Sequence, residues 1–187
     1  MNSILKGLIE ASGNDLASVV EDGVFSGDTL AYIDSGSYIL NALLGGSIYS
    51  GIASNKVIAF CGAPQTGKSF VVLGIVKNFL DTNPNAVVVY FESEGALTKQ
   101  IIADRGIDIT RMAIIPVDTV QNFRTQILKV LNKYEQQDKS SRQKLLICLD
   151  SLGQLASEKE VFDASSGKDI TDMSRAKIIK GLFRILT

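Results

Sequence analysis

The sequence predicts an α/β fold: a mostly parallel β-sheet flanked by helices, preceded by a short helical arm. Two observations predict it. Short apolar runs recur at residues 57–61, 87–91, 113–116 and 144–149, as strands covered on both faces require. Between them lie segments whose apolar residues repeat at helical spacing, and such alternation builds right-handed βαβ units. With 187 residues, 45% of them hydrophobic, the chain can fill one sizeable core.

The elements follow in order. Residues 3–11 place Ile4, Leu8 and Ile9 on one helical face, with Ser3 as the expected N-cap. Residues 12–36 are rich in Gly, Ser and Asp and read as irregular. A boundary near Leu30 divides an arm, 1–30, from a core, 31–187. The run 57–61 is the first strand and 68–80 the first core helix, closed by a loop at 81–85. Residues 87–91 form the second strand. A helix at 96–105 ends at Gly106, the residue type that best tolerates a left-handed C-terminal turn. The third strand is 113–116. The helix at 121–136 aligns Phe123, Ile127, Val130, Leu131 and Tyr134. The fourth strand is 144–149. Residues 157–172 are polar and read as a loop, and 173–186 as a last helix.

Ligands of parallel sheets bind at the carboxyl ends of the strands, and the informative residues lie there. Gly62, Ala63, Pro64, Gln65, Thr66, Gly67, Lys68 and Ser69 match the phosphate-loop pattern G-x-x-x-x-G-K-[ST] in full. Its glycines let backbone N–H groups turn inward, and the helix that starts at Lys68 adds a positive dipole end. Lys68 reaches the outer phosphates of a nucleotide, and the Ser69 hydroxyl ligates Mg²⁺. The expected ligands are therefore ATP and Mg²⁺. Asp150 closes the fourth strand and is the expected partner of the metal. Glu92 and Glu94 follow the second strand. Either could polarise an attacking water, and spacing alone does not choose between them.

Composition excludes other chemistries. The chain has no histidine and two cysteines, Cys61 and Cys148, without paired spacing. This removes histidine-based nucleophilic catalysis and argues against a disulfide or a cysteine- or histidine-bound metal, leaving two free, buried thiols on strands as the expectation. No segment is long and apolar enough to span a bilayer, and Glu10 interrupts any leader-like stretch, so no membrane is involved and the expected place is the cytoplasm. No Asn-Lys-x-Asp segment follows a strand, which argues against a GTPase, and 157–172 lacks the arginines of a metabolite-kinase lid. Net charge is −1, so bulk charge does not announce a nucleic-acid binder. Arg175, Lys177, Lys180 and Arg184 make the last fifteen residues locally basic. A solvated helix face is the simpler reading of that stripe.

Several segments together resemble the RecA-type recombinases, most closely their phage branch, over about residues 30–187. Ile33-Asp34-Ser35-Gly36-Ser37 with Leu43-Leu44-Gly45-Gly46 is similar to the family's lead-in to the phosphate loop. Phe91-Glu92-Ser93-Glu94-Gly95-Ala96-Leu97 resembles the strand end that carries the catalytic glutamate, and the resemblance selects Glu94. Asp150-Ser151-Leu152-Gly153-Gln154-Leu155-Ala156-Ser157 resembles the metal-binding strand end, and 172–185 the helix after the first DNA-binding loop.

The resemblance implies a RecA-like ATPase core and a DNA-dependent ATPase that forms helical homo-oligomeric filaments on single-stranded DNA and promotes strand exchange in recombination, repair and recombination-dependent replication. It implies Glu94 and Lys68 as catalytic residues, 157–172 as a DNA-facing loop, Arg175 and Lys177 as DNA contacts, and 1–30 as an arm that docks on a neighbouring protomer. Single-strand-binding and mediator proteins are the further partners implied, and the host cytoplasm is the setting for a phage gene.

Three departures stand out. Ile101 occupies the position where many relatives stack an aromatic ring on adenine. The segment 157–172 holds five acids against two lysines, unfavourable toward phosphates. The final helix is followed by none of the family's later elements, including its second DNA-binding loop, so the C-terminal part of the core is expected to be missing and the chain to be the N-terminal part of a longer recombinase. Two other readings remain open: a nucleotide-binding module without turnover, and a hexameric helicase motor on the same core.

Overall fold

A computed structural model describes residues 3–14, 16–24, 27–138, 140–167 and 174–186. It divides into two compact units, 1–58 and 59–187.

In the first unit, helix α1 spans Ser3–Ser12 and buries none of its residues. Ser3 is its first helical residue rather than a cap outside it. A short 3₁₀ turn at Val20–Asp22 follows. Strand β1, Tyr32–Ile33, pairs antiparallel with β2, Ile52–Ala53, and helix α2, Tyr38–Gly45, lies between them. Buried Asn41 organises this turn. Its Oδ1 accepts from Ser35 N and Oγ at 2.9 and 2.7 Å, and its Nδ2 donates to Asp34 Oδ1 and Ile48 O at 2.8 and 3.1 Å. Gly51 sits at φ 132°, and a Cβ there would lie 2.2 Å from Ile33 O, so only glycine fits. These bonds tie 31–54 into one body.

The second unit holds helix α3 at Lys68–Thr82, strand β3 at Val87–Glu92, helix α4 at Lys99–Asp104, strand β4 at Met112–Pro116, helix α5 at Val120–Glu135 and strand β5 at Leu145–Asp150. Helix α6, Glu158–Ser165, and helix α7, Ser174–Leu186, complete it. The three strands form a parallel sheet in the order β4-β3-β5, with Tyr90 opposite Cys148 and Glu92 opposite Asp150. The α/β prediction of a parallel sheet flanked by helices holds for this unit.

Strand side chains alternate between faces, and the two faces carry different helices. Phe91, Val89, Ile115, Ile147 and Leu149 pack with Phe123 and Ile127 of α5 and Leu182 of α7. The Phe91 and Phe123 rings meet edge to face, 5.0 Å apart. Val88, Tyr90, Cys148 and Asp150 have the opposite parity. Helix α3 packs on β3 and β5 and contributes nothing to the first cluster, so its buried Leu73, Val76, Phe79 and Leu80 cover this second face.

Three expectations need correction. Residues 57–61 are not a strand. An apolar run becomes a strand only when a neighbour completes its hydrogen-bond ladder, and β5 pairs only with β3 among the described residues. Cys61 is accordingly exposed, while Cys148 is buried on β5, where burial and then Asp150 push its thiol up to about 12. The segment at 157–172 is not all loop: Ser157 and Glu160 form a capping box that starts α6. Residues 168–172 lie outside the described residues. Lastly, α4 begins at Lys99 rather than residue 96, because the backbone at 94–96 is held in a turn and Thr98 caps the helix through Ile101 N.

Candidate nucleotide site

The phosphate-loop segment leads directly into α3. Gly67 caps the helix at φ 84°, and Gln65 is also left-handed at φ 63°. Left-handed residues of this kind turn successive N–H groups toward one side. The loop closes on its own lysine: Lys68 Nζ donates to Gly62 O at 3.0 Å and Ala63 O at 2.9 Å. Thr66 Oγ1 donates to Ala63 O at 2.8 Å. Gly62, Ala63, Pro64, Gln65, Thr66 and Gly67 are exposed, and Lys68 and Ser69 are half-buried. The arrangement puts a cation and a helix N-terminus at one solvent-facing point, which favours an anion.

The strand tips distinguish two glutamates that sequence spacing leaves equivalent. Glu92 is buried, and its carboxylate accepts from Glu94 N, Gly95 N and Ala96 N at 3.0, 2.7 and 3.1 Å. Its acceptor capacity goes into shaping the turn. Glu94 is exposed and accepts from Ser151 Oγ at 2.9 Å, immediately after Asp150. Ser93 laces the tips together, donating to Ser151 O at 2.9 Å and accepting from Ser151 N at 2.8 Å. Asp150 Oδ2 accepts from the Tyr90 hydroxyl at 2.8 Å. Burial, reinforced by that carboxylate, holds the Tyr90 phenol well above its usual range, so it stays a donor.

The phosphate-loop end of α3 belongs to the same end of the sheet. The other end of α3 is anchored where the strands begin. Arg111, just before β4, donates to Leu80 O, Asn83 O and Pro84 O, and Lys144, just before β5, donates to Asn83 Oδ1. A helix of 15 residues is about 22 Å long, and a six-residue strand about 20 Å. Lying along the sheet from that anchor, α3 presents Lys68 and Ser69 at the carboxyl end, on the face that carries Tyr90 and Asp150. The described residues contain no cluster of three or more His, Cys, Asp or Glu suited to a metal.

Other candidates are placed differently. Arg175 donates Nε to Leu155 O at 2.8 Å, and Nη2 to Leu152 O and Gly153 O at 3.1 and 2.8 Å. It clamps α7 to the segment after β5. Lys177, Lys180 and Arg184 are exposed, while Ile178, Ile179 and Leu182 face inward, as a solvated basic face requires. Helix α6 exposes Val161 and Phe162 and buries Asp163. Ile101 lines a groove of about 560 Å³ with Phe70, Lys77 and Arg105. Phe70, two residues past Lys68, carries the Arg105 guanidinium 4.3 Å above its ring. Neither Phe70, at the solvent side of the first α3 turn, nor Tyr90, the one hydroxyl inside the apolar run of β3, is among the site residues expected from the sequence.

Against known proteins, the chain is 34% identical over 149 residues to the "Recombination and repair protein" of Enterobacteria phage T4. The match covers 80% of this chain and 37% of that protein, so the chain spans little more than a third of its relative. No protein-family model matches it. No helix among the described residues is long and apolar enough to cross a membrane.

Proposed function

We propose that the chain is the nucleotide-binding part of a phage recombination and repair protein, a RecA-type ATPase driven by single-stranded DNA. The observation that carries this is the division of labour between the two glutamates. Glu92 is consumed by three backbone N–H groups, which leaves Glu94 exposed beside the Asp150–Ser151 tip. The similarity to the T4 protein supports a place in recombination and repair.

In this reading Lys68 leaves the carbonyls of Gly62 and Ala63 for the outer phosphates of ATP. Glu94 orients the attacking water and takes its proton. Ser69 and Asp150 would hold Mg²⁺, which supplies charge neutralisation at the phosphates. One hydroxyl and one carboxylate suit an ion that keeps most of its shell as water and phosphate oxygens. Filament formation and strand exchange in the host cytoplasm belong to the same proposal.

The test is ATP hydrolysis with and without single-stranded DNA. DNA should stimulate turnover, and Glu94→Gln should lower it about 100-fold or more while nucleotide still binds. A second reading, a module that binds nucleotide without turnover, is favoured by the Arg175 clamp and the acidic α6, which leave few phosphate contacts among the described residues. ATP binding without DNA-stimulated turnover would select it.

A further inference from the structure

We propose that Tyr90 is the positioning residue for Asp150: its hydroxyl fixes one carboxylate oxygen so that the other is presented to the magnesium of a bound nucleotide. The inference rests on the nucleotide reading above and adds to it a residue that lies outside the phosphate loop and the strand tips.

Three observations carry it. Tyr90 is fully buried, yet its hydroxyl reaches the last residue of β5 and donates to Asp150 Oδ2 at 2.8 Å. The register makes this reach possible. Tyr90 lies opposite Cys148, and Asp150 is two residues further along the same face of β5, a diagonal neighbour that a phenol is long enough to meet. The third observation is that the rest of the tip is also fixed. Ser93 bonds both N and O of Ser151, and Glu92 holds the turn that presents Glu94. Asp150 is thus the one acid of the tip whose side chain is steered from inside the core.

The physical consequence is specific. A carboxylate on a strand end can rotate about its last bond, and each rotation moves both oxygens. A buried donor that engages Oδ2 stops this rotation and leaves Oδ1 outside the bond. Groups that orient a metal ligand in this way commonly account for 10- to 100-fold in metal affinity. Tyr90 touches neither phosphate nor metal, so its effect should appear in the magnesium dependence of binding and not in nucleotide affinity measured without metal.

The experiment is a magnesium titration of fluorescent ADP binding by the 187-residue chain, comparing wild type, Tyr90→Phe, Asp150→Asn and the double variant. Tyr90→Phe keeps the ring and removes only the donor. It should raise the magnesium concentration at half-saturation about tenfold, leave metal-free ADP affinity unchanged, and add nothing in the Asp150→Asn background. Melting with and without Mg-ADP gives a second readout that works even if Tyr90→Phe is less stable, because the ligand-induced rise in Tm should shrink. An unchanged magnesium midpoint, or an equal loss with and without metal, would reduce Tyr90 to a packed ring and overturn the proposal. Failure of the wild type to bind ADP at all would instead overturn the nucleotide reading together with it.

Discussion

The loop at 62–69 and the strand tips are held in opposite ways. At the tips, buried Glu92 binds three N–H groups, Ser93 bonds both main-chain groups of Ser151, and Tyr90 anchors Asp150 from the core. The loop is exposed and is held by two left-handed residues, one threonine bond and its own lysine. The difference teaches where a ligand has most to contribute. The tips are organised by the chain itself. The loop spends its lysine on its own carbonyls, and a phosphate offers that lysine a stronger, charged partner.

The comparison can be broken first at Glu92. Glu92→Ala leaves three N–H groups without their acceptor and should cost about 3 kcal/mol of stability, read as a lower urea midpoint. If the loss is under about 0.5 kcal/mol, the turn at 94–96 does not depend on that carboxylate. A smaller effect is expected at Arg175. Arg175→Met removes the bonds to Leu152, Gly153 and Leu155 carbonyls and should cost about 1–2 kcal/mol. The salt dependence of DNA binding should not change with it. A salt slope shallower by about one unit in the variant would return Arg175 to the role of a phosphate contact.

What the sequence made legible follows from how far each signal depends on distant partners. Strands β3, β4 and β5 and helices α3, α5 and α7 announce themselves through apolar runs or a one-sided pattern such as Phe123, Ile127 and Val130. The phosphate-loop motif, with Asp150 at a strand end, is equally local. Residues 57–61 carry the same apolar signal as β3 but form no ladder, because pairing is a property of two segments. Helix α6 lies in a polar stretch where hydrophobic periodicity is weak, and only its Ser157–Glu160 capping box marks it. Glu92 and Glu94 are indistinguishable in spacing. The family resemblance selects Glu94, and the turn at 94–96, which bends three N–H groups back onto Glu92, adds the physical difference between them. The pairing of Tyr90 with Asp150, 60 residues apart in sequence, appears only when β3 and β5 are in register.

The most direct test of the account is calorimetric titration of the chain with ATP in the presence and absence of magnesium, alongside Lys68→Ala. Magnesium-dependent binding by the wild type, weakened 10-fold or more in the variant, about 1.4 kcal/mol or greater, is the predicted result. Binding that ignores both magnesium and Lys68, or no binding by a folded wild type, would contradict it.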